Sequence, residues 1–307
     1  MRRVLVTGGS GFIGKRLIAA LLGRGDEVTV LSRDAGRAAG KLPQGARAVA
    51  WDPEREGPWF EEVARAEAIV HLAGASVATR WTPEKKREIE RSRVVSTRLI
   101  VEAIGRAPQR PEVLVSASAV GYYGTHPKHE ALDESAPPGH DFLAEVCVKW
   151  EAEARAAEAL GVRAAQVRIG VVLGEGGGAL EKMLPAFKLF AGGPLGDGEQ
   201  PVPWVHHADA VGILLLALDS PQVRGPINAV ALEAITAKEL AYALGYVLHR
   251  PSWLPVPSFA LKLLMGEAAV VVTHGQRVVP RRAIELDYRF AYPSLGPALT
   301  SIVGSAK

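Results

Sequence analysis

Short aliphatic runs alternate with longer amphipathic stretches through the first half of the chain. This alternation is typical of βαβ units, in which helices cross over between parallel strands. The runs that we predict as strands are residues 3–6, 27–31, 46–50, 68–71, 112–116 and 162–168. The stretches that we predict as helices are residues 11–23, 83–104 and 142–160. The pattern therefore predicts an α/β fold built on a doubly wound parallel sheet.

The alternation stops after Gly174, where clusters of glycine interrupt the chain. Such clusters mark turns and loops between short elements, and a mostly helical tail follows them. We predict a sheet domain over residues 1–174, with residues 202–222 returning to it. Residues 175–201 and 223–307 are predicted to form a smaller, mostly helical C-terminal lobe over the carboxyl edge of the sheet.

Charge and hydropathy exclude several classes of partner. The 307 residues include 36 Lys and Arg and 33 Asp and Glu, which gives a formal charge of +3. No run of like charges forms a footprint for nucleic acid. The longest apolar stretches are far shorter than the roughly 20 residues that span a bilayer. We expect neither nucleic acid nor a membrane as a partner.

The N-terminus, the single cysteine and two adjacent histidines bear on targeting, disulfides and metal sites. The chain runs from Met1 almost directly into the first predicted strand, which leaves no room for a signal peptide and predicts a cytoplasmic protein. Cys147 is the single cysteine, so an internal disulfide is excluded. The adjacent His206 and His207 alternate faces, and we interpret them as structural rather than metal-binding. No metal is expected.

A glycine-rich turn follows the first predicted strand. Gly8, Gly11 and Gly14 have the spacing G-x-x-G-x-x-G, and a predicted helix begins within it. The backbone could approach a pyrophosphate there, and the free N–H groups and dipole of the helix favour negative charge. A glycine triplet alone can be an ordinary turn, but here the strand, the helix and the next strand all fit. We expect a Rossmann-type dinucleotide site, with contacts from Thr7, Gly8, Ser10, Gly11, Phe12, Ile13 and Gly14.

The end of the second predicted strand indicates which dinucleotide is bound. A site for NAD(H) places Asp or Glu there, where the carboxylate binds the ribose hydroxyls. This chain has Ser32 and Arg33 instead, and a guanidinium pairs well with a 2′-phosphate. We expect NADP(H) rather than NAD(H); the alternative is that Arg33 is a solvated surface residue. Asp52, after the third strand, is a candidate near the adenine, with a role in a turn as its alternative.

Further motifs resemble a known superfamily. The sequences HLAG at residues 71–74 and SAS at 116–118, together with the glycine-rich turn, resemble the extended, epimerase-like short-chain dehydrogenase/reductases. Other segments are similar to one atypical branch, the epimerase family proteins, which have their own C-terminal domain; among them are RWT at 80–82, GYYG at 121–124 and WVH at 204–206. The resemblance covers nearly the whole chain and implies that Leu72, Ala73 and Gly74 contact the cofactor.

The resemblance also implies a catalytic arrangement from which this chain departs. Active members of the superfamily use a Ser or Thr together with a Tyr and a Lys four residues apart on one helix. The ammonium there lowers the pKa of the phenol and holds the nicotinamide ribose. The resemblance places Ser118 at the serine and Lys149 at the lysine, so Lys149 would also contact the cofactor. Glu145 stands where the tyrosine is expected, and an ionised carboxylate does not replace a phenol as proton donor.

Three interpretations of this gap are open. In the first, Tyr122 or Tyr123 supplies the phenol from another direction, although both could simply pack beneath the lobe. In the second, Glu145 and Lys149 form an exposed ion pair of little consequence. In the third, the protein has kept the cofactor site and lost the chemistry.

Two arginines are candidates for contacts with a small-molecule substrate: Arg80, which lies beyond the fourth predicted strand, and Arg93, which the resemblance places near the nicotinamide end of the cofactor. A guanidinium can hold an anionic group, and a salt bridge to Glu88 or Glu90 is the alternative for Arg93. We predict an NADP(H)-dependent oxidoreductase or nucleotide-sugar-epimerase-like enzyme with an atypical active site. A catalytically silent NADP(H)-binding or sensing protein is the alternative. The resemblance also leaves open a homodimer formed through the two longest helices.

Overall fold

The structure is a computed structural model, and it describes residues 1–127 and 129–304. The strands are β1 (Arg3–Thr7), β2 (Glu27–Ser32), β3 (Arg47–Ala50), β4 (Ala68–His71), β5 (Val113–Ala119), β6 (Ala131–Leu132), β7 (Arg163–Ile169), β8 (Val171–Leu173), β9 (Pro201–Val202), β10 (Trp204–His206), β11 (Gly225–Ala229), β12 (Ile235–Thr236) and β13 (Arg277–Val278). The helices are α1 (Phe12–Gly23), α2 (Ala35–Ala39), α3 (Phe60–Arg65), α4 (Pro83–Arg106), α5 (Phe142–Arg155), α6 (Gly178–Lys188), α7 (His207–Asp219), α8 (Ala237–Leu248), α9 (Ser258–Met265), α10 (Val270–Thr273), α11 (Arg281–Glu285) and α12 (Leu295–Gly304). Short 3₁₀ helices lie at Val120–Tyr123, Ala156–Leu160 and Gly266–Ala269.

Seven parallel strands form the central sheet, in the order β11-β7-β5-β4-β1-β2-β3. The direction in which strands are added reverses between β1 and β4, and doubly wound sheets bind ligands at such a switch point. Each strand and helix predicted from the sequence is present, with its ends shifted by a few residues. The predicted fold class, a doubly wound parallel Rossmann sheet with a mostly helical C-terminal region, is confirmed.

The edge strand β11 is an element that the sequence analysis missed. Residues 223–307 were assigned to the lobe, but Gly225–Ala229 pairs in parallel with β7 in the central sheet. The sequence of this strand, GPINA, contains Gly, Pro and Asn, which are depleted in strands. An edge position tolerates Pro because one side of the strand has no ladder to complete. The chain therefore returns to the sheet once more after α7.

Alternating residues of the strands supply two hydrophobic cores, one on each face of the sheet. Val4 and Val6 belong to the core that also contains α1 and α7. Leu5, between them, belongs to the core formed with α3 and α4. All three side chains are at most 1 % exposed. Helices thus cover both faces, which explains why the strands read as nearly continuous hydrophobic runs.

A third core holds the lobe together. Trp204, which is 1 % exposed, packs among apolar side chains of α6, α8 and α12. Three small strand pairs accompany the central sheet: β8 with β10, β9 with β12, and β6 with β13. The last pair joins the C-terminal segment to the connection that follows β5. The lobe is therefore attached at several points above the carboxyl edge of the sheet.

The two adjacent histidines have the structural role that the sequence suggested. His206 begins α7, and its Nδ1 accepts a hydrogen bond of 3.1 Å from the amide of Ala208. Burial lowers the pKa of His206 to about 4, so the ring is neutral at physiological pH. Within the described residues, no group of three or more His, Cys, Asp or Glu is arranged to hold a metal ion. In the same part of the chain, no helix is long and apolar enough to cross a membrane.

Candidate functional site

The glycine-rich turn brings three segments of backbone into close contact. Gly8 has φ +67°, a conformation that favours glycine. A Cβ atom at Gly8 would lie 2.7 Å from the carbonyl carbon of Leu72, and a Cβ atom at Gly14 would overlap the carbonyl oxygen of Gly8. The turn therefore accepts only glycine at these two positions. With bulkier residues, α1 could not start so close to the end of β1.

The N-terminus of α1 is open. Gly11 precedes the helix without a side-chain cap, and the first turn contains no acidic residue. Ser10 and Gly11 are exposed, whereas Phe12 and Ile13 are half-buried. The ring of Phe12 packs edge-on against His207, with 6.5 Å between ring centroids. Unpaired first-turn amides and the helix dipole make this end of α1 an anion site, and the glycine turn gives a pyrophosphate room to reach it.

The loop after β4 forms the other side of the groove. The hydroxyl of Thr7 accepts hydrogen bonds from the amides of Leu72 (3.1 Å) and Ala73 (3.2 Å). Its own proton then points to Nδ1 of His71 at 2.7 Å, and Nε2 of His71 is 3.1 Å from the hydroxyl of Ser96. Burial lowers the pKa of His71 to about 3, so this ring stays neutral. The chain of hydrogen bonds fixes the groove at the switch point between β1 and β4.

An unpaired cation stands at the end of β2. Arg33 is exposed, and among the described residues it has no carboxylate within 4.0 Å. The neighbouring Ser32 donates to the carbonyl of Asp34, and the carboxylate of Asp34 accepts from the amide of Arg37 at 2.8 Å, which caps α2. Asp34 therefore acts as the N-cap of α2. Asp52 accepts from the amide of Glu54 at 2.9 Å, the turn role given as its alternative; an adenine contact stays a prediction.

A cavity of about 320 Å³ lies between the carboxyl end of the sheet and the lobe. Its sheet-side wall is formed by the end of β5, by α5 and by the connection from β7 to β8. Residues 193–203 and 270–276 of the lobe form the opposite wall. Most of the lining is apolar, and the polar side chains that take part are Arg93, Thr125, Asp141, Gln200, His274 and Gln276. Such a cavity suits a small molecule with a few polar groups.

Arg93 is the one cation that lines this cavity within the described part of the chain. Its guanidinium donates to the carbonyls of Ile89 (3.0 Å) and Ala75 (2.9 Å) and lies 5.3 Å from the ring centroid of Trp150. Burial lowers its pKa. The salt bridge proposed as an alternative is wrong, because Glu88 pairs with Lys85 and Glu90 with Lys149. A half-buried cation without a described carboxylate partner is available to an anionic ligand.

Arg80 lies elsewhere. It is exposed, and its side chain approaches Gly266 at the end of α9 rather than the cavity. The cavity lining does not include it. The structure thus separates the two arginines that the sequence analysis treated as a pair, and it leaves Arg93 as the candidate substrate contact.

The helix α5 does not present Glu145 and Lys149 to the cavity, which corrects the predicted role of Lys149. Both residues are exposed, and the ammonium of Lys149 donates to Glu90 on α4 at 2.6 Å. The hydrogen bond to Glu90 raises the pKa of Lys149. Positions four residues apart that do line the cavity are Leu143 and Cys147. A Tyr–Lys pair acting on a bound substrate would have to stand at these two positions.

Ser118 and Tyr123 belong to a buried ionic network below the cavity, so their predicted catalytic roles are also corrected. Ser118 donates to Glu151 at 2.7 Å, and Arg168 binds the same carboxylate through Nε at 2.8 Å and Nη2 at 2.9 Å. The hydroxyl of Tyr123 donates to Asn228 at 2.7 Å and accepts from Arg168 at 3.1 Å. Each of these side chains is at most 3 % exposed. Burial raises the pKa of Tyr123 to about 12.

Tyr122 does not supply the missing phenol to the cavity either. The guanidinium of Arg168 stacks over its ring at 3.4 Å from the centroid, and the ring meets that of Tyr123 edge-on. The cavity lining contains neither tyrosine. The packing role weighed for these residues is the one that the structure supports.

Several residues that face the cavity escaped the sequence analysis, among them Ala119, Leu143 and Cys147. The apolar stripe of α5, which includes Val146, Cys147 and Trp150, would have indicated which side of the helix turns inward. Burial, followed by the charge of Glu151, raises the pKa of Cys147 to about 12. Its thiol is therefore neutral at physiological pH.

The comparisons with known proteins agree with this architecture. Residues 4–230 match the model of the NAD dependent epimerase/dehydratase family. The chain belongs to this family. Residues 256–302 match a domain of unknown function, DUF1731, so the family's fold is followed here by a distinct C-terminal domain. The resemblance inferred from the sequence motifs is confirmed.

Relatives in the family align over almost the whole chain. The chloroplastic epimerase family protein SDR39U1 homolog of Arabidopsis thaliana is 46 % identical over 303 residues, which cover 98 % of this chain and 86 % of the relative. Epimerase family protein YfhF of Bacillus subtilis is 36 % identical over 304 residues and 99 % of each chain. The crystal structure of human epimerase family protein SDR39U1 (isoform 2) with NADPH superposes with a TM-score of 0.86 at 36 % identity, covering 98 % of this chain and 99 % of the human one.

Proposed function

We propose that this protein binds NADP(H) across the switch point between β1 and β4 and acts as an oxidoreductase on a small molecule held in the cavity. The observation that carries the proposal is the exposed, unpaired Arg33 at the end of β2. A cation in that place favours a 2′-phosphate, and the acidic neighbour that could bind ribose hydroxyls, Asp34, already caps α2.

The residues of the groove fit the cofactor. The pyrophosphate would lie on the open N-terminus of α1, which starts close to the end of β1 because Gly8 and Gly14 have no Cβ atom to meet the neighbouring backbone. Leu72, Ala73 and Gly74 would line the groove opposite α1, held by the hydroxyl of Thr7. The human relative, which was crystallised with NADPH, supports this choice of cofactor. Bound NADPH would supply a hydride to the substrate.

The cavity favours reduction of a compact, mostly apolar substrate over epimerisation of a nucleotide sugar. Each hydroxyl of a sugar needs a hydrogen-bond partner when it leaves water, and the wall is mainly apolar. Arg93 would bind a carboxylate of the substrate or draw negative charge onto a carbonyl oxygen. The titratable side chains described in the wall, apart from Arg93, are Asp141, Cys147 and His274. The proton for a reduction would come from one of these groups or from water, because no tyrosine lines the wall.

A titration with NADPH and with NADH tests the cofactor. We expect NADPH to bind at least about tenfold more tightly, a difference of roughly 1.4 kcal/mol, and the Arg33→Asp variant to remove that preference. Arg65→Asp, which makes the same change of charge at an exposed position on α3, should keep it. Equal affinities in the wild type, or an unchanged preference in Arg33→Asp, would contradict the proposed role of Arg33.

A silent NADP(H)-binding protein is the second candidate, and one observation favours it. Leu143 and Cys147 occupy the cavity-facing positions of α5, so the helix offers no Tyr–Lys pair for proton transfer. Oxidation of NADPH with a panel of aldehydes, ketones and enones, with and without a carboxylate, separates the two functions. Turnover that Arg93→Leu abolishes while NADPH still binds supports the oxidoreductase; no turnover with any compound supports the silent protein. A cytoplasmic location and a homodimer stay predictions.

A further inference from the structure

The lobe exposes an apolar patch, which we define by Leu189, Phe190, Trp253, Phe259, Leu263 and Leu264. These six side chains are between 60 % and 79 % exposed. They come from the end of α6, from the segment before α9 and from α9 itself. Large apolar side chains this exposed are unusual on a protein that stays free in water, and several together mark an interaction surface.

The segments that carry the apolar patch adjoin one another. The amide of Leu254 donates to the carbonyl of Gly192 at 3.3 Å, and that of Val256 to Pro194 at 2.9 Å. The guanidinium of Arg250 lies 4.6 Å from the ring centroid of Phe190. The end of α6 and the segment leading into α9 therefore form one surface rather than separate exposed residues.

Three exposed cations lie within the segments that carry the apolar patch, and the nearest acidic residues along the chain, Glu181, Asp197, Glu239 and Glu267, lie just outside these segments. Residues 182–196 and 240–266 contain no Asp or Glu, while Lys188, Arg250 and Lys262 are exposed. None of these three cations has a carboxylate within 4.0 Å among the residues that the structure describes. Other exposed arginines do form ion pairs, for example Arg106 with Glu56. These cations favour a partner of the apolar patch that carries negative charge.

From this arrangement we infer that the apolar patch docks on the surface of an anionic lipid bilayer. Proteins that bind to the surface of such a bilayer without spanning it do so through leucine, phenylalanine and tryptophan side chains accompanied by Lys and Arg. A second copy of this chain is disfavoured, because a symmetric contact through the patch would bring the same three cations together. A bilayer also accepts protruding side chains without a complementary shape, which a protein partner would have to provide.

The apolar patch lies next to the cavity. Gly193 lines the cavity and is in close contact with the backbone of Leu254. Val271 also lines it and is itself 37 % exposed. Docking would bring the cavity wall close to the lipid surface. The docking itself does not depend on the proposed function, because it rests on side chains outside the cofactor groove and the cavity.

Co-sedimentation of the full chain with vesicles tests the docking. We expect binding to an equal mixture of phosphatidylcholine and phosphatidylglycerol, and none to phosphatidylcholine alone. The variant Phe259→Ser/Leu263→Ser and the variant Lys188→Glu/Lys262→Glu should each weaken binding at least about tenfold. The matched controls are Ile284→Ser, at an exposed position of α11 (53 %), and Lys41→Glu, which is also exposed; both should bind like the wild type.

Tryptophan emission gives an independent readout. Trp253 is 72 % exposed, whereas Trp51, Trp59, Trp150 and Trp204 are at most 6 % exposed. Anionic vesicles should shift the emission to shorter wavelength, and Trp253→Phe should remove the shift while the protein still sediments. No sedimentation with anionic vesicles, or equal loss in the patch variants and the controls, would overturn the inference. So would a dimer in gel filtration that Phe259→Ser/Leu263→Ser converts to a monomer, because the occupant would then be a second copy.

Discussion

The buried carboxylate of Glu151 gives the sharpest test of how the sheet and α5 are held together. It accepts three hydrogen bonds, one from Ser118 and two from Arg168. Glu151 and Arg168 are 1 % and 2 % exposed. Burial alone would lower the pKa of Arg168, but the hydrogen bonds to Glu151 and Tyr123 and the charge of Glu151 together outweigh that effect and raise it. The guanidinium therefore stays charged and depends on Glu151 as its counterion.

The substitution Glu151→Gln keeps the shape of the side chain and removes its charge. One carboxylate oxygen becomes an NH₂ group, which has to face a donor of Arg168 or Ser118. Breaking a buried ion pair on one side costs about 3–5 kcal/mol, since the remaining charge has no partner and no water. We expect Glu151→Gln to lower the free energy of unfolding by this amount. That is a large part of the roughly 5–15 kcal/mol by which a typical protein is stable.

The matched control lies two residues further along the same helix. Glu153 binds Arg98 through the same two guanidinium nitrogens, but Arg98 is 52 % exposed. Exposed pairs of this kind contribute about 0.2–1 kcal/mol. We would measure the free energy of unfolding by urea denaturation, with circular dichroism as the signal. It should be at least about 2 kcal/mol lower for Glu151→Gln than for Glu153→Gln. If the two variants are equally stable, the buried network does not have the role that its geometry indicates.

Three further predictions follow from the site. Gly14→Ala should abolish NADPH binding in a calorimetric titration, since its Cβ would overlap the carbonyl of Gly8, whereas Gly23→Ala on the same helix meets nothing within 4 Å and should bind normally. Ser118→Ala should cost about 1.5–3 kcal/mol of stability, for a lost hydrogen bond to a charged group, and leave NADPH affinity unchanged; a loss of affinity without a loss of stability would restore a direct role for this serine. The pKa of His71 falls from 6.5 to about 3 through burial, so His71 is neutral in the fold but gains a proton on unfolding. His71 should therefore contribute a loss of about 1.4 kcal/mol of stability per pH unit as the pH falls from 6.5 towards 3, and His206, whose pKa burial lowers to about 4, adds to this slope. His71→Gln should flatten this slope, and the exposed His249→Gln should not.

The sequence was a good guide to the fold because the strands are buried on both faces. Continuous aliphatic runs such as residues 3–6 stand out against amphipathic helices, and a parallel arrangement follows from their alternation. The same logic failed for β11, whose GPINA sequence has no such run. That strand forms because β7 offers it a complete ladder of hydrogen bonds, which is a tertiary effect that a local pattern does not contain.

The cofactor groove was predictable for a similar reason, since the glycine turn, the helix start and Arg33 are all consecutive or nearly so. The catalytic residues were not predicted correctly. The resemblance assigned the tyrosine and lysine of the superfamily to positions 145 and 149, and both Glu145 and Lys149 lie on the exposed face of α5. The helical period of the apolar residues on α5 would have shown this. The role of Ser118 needed the sheet register, which sets it opposite Arg168 on the neighbouring strand. No spacing within the sequence reveals that neighbour.

The expectation about membranes shows another limit of sequence patterns. That expectation rested only on the search for apolar stretches long enough to span a bilayer, and no described helix is such a stretch. The apolar patch of the lobe is assembled from short segments on either side of α8, which become neighbours only in the folded lobe. A surface of this kind has no signature in a window of consecutive residues.

The pairing of β13 with β6 limits which fragments of this protein can be expressed in folded form. The family match ends at residue 230, which invites a shorter expression fragment containing only the nucleotide-binding half. Val278 on β13, however, packs with Leu132, Tyr123 and Val230 in a small core of its own. A fragment that stopped at residue 230 would leave these side chains open to water and β6 without its partner. The end of the epimerase/dehydratase family match at residue 230 is therefore not an end at which the polypeptide can be cut and still fold as it does here.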